Sequence, residues 1–168
     1  MKYYIASSLS NRKTVQELDR WLQDRGHLPT FPWWTEPPVA TFPVLAECPA
    51  HGVQNTESRW YKQHLQERSM DDLQGVIDAD FVIVMLPGGN GTHVELGAAL
   101  ALQRHGQCAA ILYVPDGVPT EPYPCVFHWD PALRRASTME ELIQRLRDVE
   151  QERVRVAAMA QALLDSHR

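Results

Sequence analysis

The segment that most constrains the fold of this chain is a continuous apolar run at residues 81–86, followed at once by a turn at 87–92 that contains three glycines. An unbroken apolar run of this length is typical of a central parallel strand that is buried on both faces. Glycines directly after it allow the backbone to bend sharply into the next element. A strand, a glycine-rich turn and a helix, here predicted over about Thr92 to Arg104, together indicate an α/β fold with a parallel sheet.

The rest of the chain continues the alternation of strands and helices. The other predicted strands are residues 2–6, 27–34, 109–114 and 125–129. The segment 27–34 should lie at a sheet edge because it holds two prolines, which cannot donate to a neighbouring strand. The pattern predicts a doubly wound, flavodoxin-like sheet of five parallel strands with helices on both faces.

Helical periodicity is found between these strands and at the end of the chain. The predicted helices are residues 12–25, where Thr14 and Glu17 have the spacing of a capping pair, 55–78 with a break near Ser69, and one or two helices from Thr138 to about Asp165. Residues 1–168 should form a single domain of ordinary size, in which 138–168 are a C-terminal helical tail.

Composition excludes several classes of function. With 168 residues and a net charge of −5, the chain carries no basic surplus that would favour duplex DNA or an anionic membrane surface. No apolar run approaches the length of a membrane span. The odd count of three cysteines, Cys48, Cys108 and Cys125, argues against a disulfide framework and favours a reducing compartment. We therefore expect a cytoplasmic protein whose partner is a small molecule, with neither nucleic acid nor a membrane involved.

The turns after two of the strands form the predicted binding site. In open parallel sheets ligands bind beyond the carboxyl ends of the strands, where the strand order reverses, and this brings the turns at 7–12 and 87–92 together. Backbone amides at a helix N-terminus suit a phosphate. The predicted phosphate- and substrate-binding residues are Ser8, Ser10, Arg12, Gly88, Gly89, Asn90, Gly91 and Thr92. The alternatives are a plain strand-to-helix turn at the glycines and an exposed arginine that only begins a helix.

Glu95 follows the glycine turn and has two interpretations. Thr92 and Glu95 have the Thr-x-x-Glu spacing of a capping box, in which the glutamate only satisfies backbone amides. Alternatively, a carboxylate in the first helical turn, beside an anion site, lies where the positive charge of a breaking sugar–base bond must be stabilised. The spacing alone does not separate the two.

One family resemblance favours the catalytic interpretation. Residues 87–95, Pro-Gly-Gly-Asn-Gly-Thr-His-Val-Glu, resemble the PGGxGTxxE signature of the LOG family, the phosphoribohydrolases that release cytokinin bases from nucleoside 5′-monophosphates. The resemblance implies that the turn holds the phosphate and that Glu95 is catalytic. The GGGxxGLMG stretch of that family is absent after the second predicted strand, where residues 33–38 read Trp-Trp-Thr-Glu-Pro-Pro.

A second resemblance covers residues 2–147, which are similar to the nucleoside 2-deoxyribosyltransferase superfamily, including its nucleotide N-hydrolase branch. Residues 4–9 resemble its first strand and turn, 71–80 its aspartate before an Ala-Asp pair, and 95–99 its Glu-x-Gly-x-Ala helix. This resemblance implies that Glu95 is catalytic, that Asp72 assists the departing base, and that Tyr4 orients the glutamate.

These residues have rivals and structural alternatives. Asp71 takes the place of Asp72 if the register slips by one, and Asp72 could simply lie in the first turn of a helix capped by Ser69. Strand alternation sends Tyr3 and Tyr4 to opposite faces, so only one of them can face the site.

Other notable side chains favour structural roles. The aromatic residues Phe31, Trp33, Trp34 and Phe42 either stack on a base or pack at the sheet edge or a subunit contact. Cys48 and His51 form a lone Cys-x-x-His pair, far short of a zinc site. His93 is expected to face solvent.

The resulting prediction is an N-glycosidase that hydrolyses the base–sugar bond of a nucleoside 5′-monophosphate, with no need for a metal or an organic cofactor. The alternatives are a nucleoside 2-deoxyribosyltransferase that exchanges bases on unphosphorylated 2′-deoxynucleosides, a non-catalytic nucleotide-binding module, and a NAD-cleaving glycosidase. The second resemblance also implies a homo-oligomer, a dimer or larger, in which neighbouring subunits complete the pocket.

Overall fold

Five parallel strands and four α-helices are described in the computed structural model of the protein, which covers residues 1–35, 59–115, 117–118 and 125–166 and gives the backbone alone at 59–62 and 64. In chain order they are β1 (Lys2–Ala6), α1 (Arg12–Gln23), β2 (Leu28–Pro29), α2 (Arg59–Ile77), β3 (Phe81–Met85), α3 (Asn90–Arg104), β4 (Ala109–Tyr113), β5 (Arg134–Ala136) and α4 (Met139–Ser166). Short turns of 3-10 helix lie at Leu9–Asn11, Trp33–Thr35 and Val126–Trp129.

The strands form one sheet in the order β2-β1-β3-β4-β5, and each neighbouring pair is parallel. This is the flavodoxin-like order, and it confirms the predicted doubly wound α/β fold. All five residues of β3 and all five of β4 are buried, as expected for strands covered on both faces. The chain runs from β1 outward to β2 and returns to β3 on the other side of β1, so the switch point lies between the carboxyl ends of β1 and β3.

Two neighbouring tyrosines on β1 point to opposite faces of the sheet. The Tyr3 hydroxyl contacts the carboxylate of Asp19 on α1, whereas the Tyr4 hydroxyl contacts Asp72 on α2 and Glu95 on α3. Both rings are fully buried. Helices therefore cover both faces, and the two-residue period of the strand decides which tyrosine reaches which helix.

Two of the predicted strands differ from the structure. Residues 27–34 contain only the two-residue β2, which does lie at the sheet edge, because the prolines of this segment lack the N–H groups that a longer strand would need. Residues 125–129 are not a strand, since Val126–Trp129 is a 3-10 turn and the fifth strand is β5. The charged sequence of β5 gives no apolar signal, but an edge strand needs only backbone hydrogen bonds and one buried side chain, here Ala136.

Two predicted details of the helices are wrong. The helix α2 runs without a break, and Ser69 lies inside it with its hydroxyl donating to the carbonyl of Gln66. The helix α1 begins at Arg12 directly after Asn11 rather than at a Thr14–Glu17 cap. Serine often caps helices, which suggested the break at Ser69, but its hydroxyl can also bond a carbonyl of the preceding turn, as it does here.

The C-terminal helix α4 packs against the sheet through its first half. Its buried residues are Leu142, Leu146 and Val149. Further along, Arg153 donates to Asp80 Oδ1 at 2.7 Å and to the Asp80 carbonyl at 2.9 Å, which ties α4 to the residue before β3. Residues 154–166 are all exposed. None of the described helices combines the length and the apolar character that a membrane span requires.

Candidate active site

Three side chains from different elements meet beside the switch point. The Tyr4 hydroxyl lies 2.7 Å from Glu95 Oε1 and 3.1 Å from Asp72 Oδ1. The strand β1 supplies the tyrosine, α2 the aspartate and α3 the glutamate. A phenol has one proton and can donate to only one carboxylate at a time. The two carboxyl groups are therefore linked through the tyrosine, because a protonated Glu95 is able to donate to Tyr4 while Tyr4 donates to Asp72.

Gly75 makes room for the Tyr4 ring against α2. A Cβ atom at position 75 would lie 2.8 Å from two ring carbons of Tyr4 and 2.9 Å from the Cβ of Phe31. These distances are far inside normal contact, so any side chain here must displace the tyrosine or the helix. The Gly75 carbonyl also accepts a 2.7 Å hydrogen bond from the Thr30 hydroxyl, which fixes α2 to the segment after β2. Gly75 is thus a positioning residue for the site.

Glu95 is a buried carboxyl group with 8% of its surface exposed. Burial raises the pKa of Glu95 from 4.5 to about 7, the hydrogen bond from Tyr4 opposes the rise, and the nearby Asp72 adds to it. Burial is also the main reason why the pKa of Tyr4 lies far above its usual range. Tyr4 therefore stays protonated while Glu95 changes its charge near neutrality. A carboxyl group with this behaviour suits general acid–base or nucleophilic chemistry.

The cap of α3 involves Thr92 but not Glu95. The helix begins at Asn90 with Gly89 as its N-cap residue, and the Gly89 N–H donates to Thr92 Oγ1 at 3.2 Å. Thr92 is therefore the third residue of the helix rather than its cap. Glu95 lies almost a full turn further along, with its carboxylate on Tyr4. The capping-box interpretation of Thr92 and Glu95 is wrong, because the cap falls three residues earlier.

The glycines of the turn allow close packing on the helix and leave the backbone accessible, but the bend itself does not require them. None of the three has a positive φ. A Cβ at Gly88 would lie 2.7 Å from Thr92 Cγ2, so this glycine permits the turn to pack on the helix. Cβ atoms at Gly89 and Gly91 would meet no heavy atom within 4 Å. These two positions leave the backbone accessible to a ligand.

A cavity of about 360 Å³ opens beside the three central side chains. Its volume lies within the roughly 300–1,000 Å³ typical of small-ligand sites. Besides Tyr4, Asp72 and Glu95, the predicted residues that line it are Ser8, Gly89, Gly91 and Thr92. A larger cavity of about 580 Å³ lies between α4 and the amino end of β4, away from the switch point. We place the candidate site in the smaller cavity because it holds the linked carboxyl groups.

Asn11 joins the two turns that border this cavity. Its side-chain amide donates to Ser7 Oγ and to the Pro87 carbonyl, both at 2.9 Å. Ser7 Oγ in turn donates to the Met85 carbonyl at 3.0 Å. An amide has two N–H donors, and both are used here. The relative position of the first turn and the glycine turn is therefore fixed by one side chain.

Arg68 is a cationic residue of the site that the sequence analysis missed. Its Nε lies 3.6 Å from Asp72 Oδ2, its guanidinium lies 5.0 Å from the ring centre of Phe31, and it lines the cavity. Its charge lowers the pKa of Glu95, against the effect of burial. Arg68 and Asp72 are four positions apart on α2, the spacing at which helical side chains meet, so a signal for this pair was present in the sequence.

Trp33 combines the two roles considered for the aromatic residues. It is largely buried, and its indole N–H donates to the Ile5 carbonyl at 2.7 Å, yet the residue lines the cavity. Trp34 is fully buried and packs edge-to-face on Trp33 at a centre distance of 5.7 Å. Trp33 is therefore the aromatic residue placed to contact a ligand, while Phe42 lies outside the described residues.

Several predicted residues lie away from the cavity. Those that do not line it are Ser10, Arg12, Gly88 and Asn90. Ser10 and Asn90 are exposed, and Arg12 begins α1. Of the two rivals, Asp71 is exposed and Tyr3 faces the other side of the sheet. The pair Cys48 and His51 lies outside the described residues.

The fold has a counterpart among solved structures, although the sequence matches no family model and no curated protein. The structure is similar to that of the CMP N-glycosidase BcmB from Clostridium botulinum, with a TM-score of 0.52 and 16% sequence identity. The match covers 88% of this chain and 99% of the other. At this identity the similarity shows a shared fold.

Proposed function

We propose that the protein is an N-glycosidase that hydrolyses the bond between base and sugar in a nucleoside 5′-monophosphate. The observation that carries this proposal is that the linked Tyr4, Glu95 and Asp72 and the open glycine turn border one cavity. The three side chains can act on a sugar–base bond, and the glycine turn can receive a phosphate. A site with both features fits a nucleotide better than a free nucleoside.

In the proposed mechanism Glu95 faces the anomeric carbon. Departure of a base develops positive charge there in an oxocarbenium-like transition state. The ionised carboxylate, held in its rotamer by Tyr4, stabilises this charge or attacks the carbon to form a glycosyl ester that water hydrolyses. Because burial disfavours its ionised form, a carboxylate in this position gains more from a developing positive charge than an exposed one would.

Asp72 has the complementary task of assisting the departing base. Leaving-group protonation or hydrogen bonding is the other half of glycosidic cleavage. Asp72 is half-buried, contacts the same hydroxyl as Glu95 and lines the cavity. After the base has left with the proton of Asp72, the ionised Asp72 can accept a proton from the attacking water, which returns both carboxyl groups to their starting states.

The start of α3 is the proposed phosphate site. The first N–H groups of a helix have no carbonyl partner within it, and the helix dipole favours an anion there. Gly89 and Gly91 keep this region free of side chains. Arg68 lines the same cavity and contributes a positive charge to it.

Three similarities support an N-glycosidase that acts on nucleosides or nucleotides. The solved structure with the shared fold is that of a CMP N-glycosidase. Residues 87–95 resemble the phosphate-binding motif of the LOG family, and residues 2–147 resemble the nucleoside 2-deoxyribosyltransferase superfamily. Membership of the nucleotide N-hydrolase branch of that superfamily is part of the proposal.

Base release from a panel of ribo- and deoxyribonucleoside 5′-monophosphates, followed by chromatography, tests the proposal. The wild-type protein should release free base, and Glu95→Ala should lose roughly 100-fold or more, the order of magnitude of one transition-state contact. Asp72→Asn should also lose activity, while Asp71→Asn, at the exposed neighbouring position, should not. Equal release by Glu95→Ala and wild type contradicts the mechanism.

Unphosphorylated 2′-deoxynucleosides and a second free base, added to the same assay, separate the alternatives. A new nucleoside would indicate a deoxyribosyltransferase. Saturable nucleotide binding by calorimetry without any base release would indicate a binding module, and then Glu95→Ala should still bind.

We also propose that the protein is a homo-oligomer. The second half of α4 exposes large apolar side chains, namely Val154, Val156, Met159, Leu163 and Leu164. Of these, Val156, Met159 and Leu163 follow helical spacing and share one face of α4, and an exposed apolar face of this kind favours contact with another protein surface. Light scattering coupled to gel filtration measures the oligomeric state, and a monomer at all concentrations contradicts the proposal. A cytoplasmic location stays a prediction.

A further inference from the structure

Two histidines and a cysteine converge beside the start of α3. His93 lies in the first turn of α3, Cys125 precedes the 3-10 turn Val126–Trp129, and His128 lies within that turn. One ligand atom from each residue lies within 4.8 Å of the other two. The imidazole rings of His93 and His128 are 5.2 Å apart, centre to centre. None of the three residues lines the candidate active-site cavity.

The 3-10 turn explains why Cys125 and His128 lie together. The His128 backbone N–H donates to the Cys125 carbonyl at 2.9 Å, and side chains three positions apart in a 3-10 turn lie on the same side. Arg135 holds the turn in place, because its Nη1 donates to the His128 carbonyl at 2.7 Å and its guanidinium lies 4.6 Å from the ring centre of Trp129. The two side chains are therefore preorganised by the backbone.

The His128 side chain points to a ligand. The residue is only 4% exposed, and neither of its ring nitrogens has a hydrogen-bond partner among the described residues. Buried polar atoms almost always have a partner, and a buried imidazole without one is destabilising. A ligand shared with His93 and Cys125 would satisfy one of these nitrogens.

We propose that His93, Cys125 and His128 bind a zinc ion. A thiolate and two neutral imidazoles form a donor set that prefers zinc and similar transition metals over magnesium or calcium. On binding, the Cys125 thiol releases its proton to solvent, and its thiolate neutralises one of the two charges of the ion. Three protein ligands leave a fourth position for water.

The zinc ion would connect two distant parts of the chain. It would fix the turn at 126–129 to the first turn of α3, the helix that also carries Glu95. The proposal does not depend on the glycosidase activity, since the three ligands form a separate cluster. Its test therefore succeeds or fails on metal binding alone.

Metal titration of the untagged, chelator-treated protein tests this site. We expect one Zn²⁺ per chain by calorimetry and, with Co²⁺ as a spectroscopic substitute, a thiolate-to-cobalt charge-transfer band. Cys125→Ser should remove the band and weaken Zn²⁺ binding by more than about 100-fold, because even the loss of an outer-shell partner costs about 10–100-fold. Cys108→Ala and Cys48→Ala are the matched controls and should keep both the band and the affinity.

A second substitution keeps the test decisive if Cys125→Ser does not fold. His93→Gln changes a half-buried side chain and should weaken Zn²⁺ binding to a similar degree while the circular dichroism spectrum stays unchanged. Failure to bind Zn²⁺ in a one-to-one ratio overturns the proposal. A charge-transfer band that survives Cys125→Ser, or that disappears in Cys48→Ala, overturns it as well.

Discussion

Replacement of Glu95 by glutamine should stabilise the folded protein, and the gain should grow with pH. The pKa of this buried carboxyl group rises from 4.5, its ordinary value, to about 7 in the folded protein. Between these two values the folded state holds a proton that the unfolded state has released. The free energy of unfolding of the wild type therefore falls as pH rises through this window and stays lower above it.

The size of the pKa shift of Glu95 determines how much stability the substitution should add. One pKa unit corresponds to about 1.4 kcal/mol, so a rise from 4.5 to about 7 implies that ionised Glu95 lowers the free energy of unfolding by about 3 kcal/mol at pH values above about 7. Glutamine has no charge to desolvate and keeps a carbonyl oxygen that can accept the bond from Tyr4. The stability difference between Glu95→Gln and wild type should thus grow by about 3 kcal/mol between about pH 4 and pH 8.

Urea unfolding followed by tryptophan fluorescence at several pH values measures this difference. Other titrating groups cancel, because the two proteins differ at one position. Glu141→Gln is a control of opposite sign: the backbone N–H of Ser137 lowers the pKa of exposed Glu141, so its stabilising effect is lost as pH falls. That variant should lose stability at neutral pH rather than gain it. If the difference in the free energy of unfolding between Glu95→Gln and wild type does not change with pH, ionisation of Glu95 does not destabilise the folded protein and the reasoning is refuted.

Three further substitutions test how the site is built. Gly91→Ala should stabilise α3 by up to about 1 kcal/mol, since its Cβ meets no atom within 4 Å, yet it should raise the KM for a nucleotide. Gly97→Ala, which is equally open but lies outside the cavity, should give the same gain in stability without a change in KM. Equal KM values for the two variants contradict a phosphate at the turn. Tyr4→Phe should lower kcat by about 100-fold, the order of loss when reacting groups are misplaced, whereas Tyr3→Phe on the opposite face should leave base release unchanged. Similar kcat values for the two variants contradict the proposal that Tyr4 positions Glu95. Arg68→Met should move the rising limb of the kcat–pH profile to values above about 7, because the guanidinium lowers the pKa of Glu95. Arg68→Lys should restore the profile, and a limb that does not move excludes Glu95 as its origin.

The central sheet could be predicted from the sequence because its strands are buried on both faces. All residues of the run at 81–86 are apolar, which predicts such a strand, and β3 is found there. The fifth strand could not be predicted, because β5 is three residues long and is held by backbone bonds to β4. The apolar residues that suggested a strand at 125–129 include Val126 and Trp129, which are exposed in the 3-10 turn.

The central residues of the candidate site were named through family resemblance rather than through local pattern. Tyr4 contacts partners 68 and 91 positions away, and no periodicity predicts such contacts. The need for glycine at position 75 comes likewise from a ring on another element. Arg68 differs, because its partner lies four positions along the same helix and the pair was open to prediction.

Asn11 couples the separation of the two turns to the size of ligand that the cavity admits. Its two 2.9 Å bonds, to Ser7 and Pro87, span the gap with a side chain of fixed length. An aspartate at position 11 would lose both donors and oppose a carboxylate to the Pro87 carbonyl, so the turns would separate. Asn11 does not line the cavity, yet a substitution there is expected to change the distance between the turns that border it, while Tyr4, Asp72 and Glu95 stay unchanged.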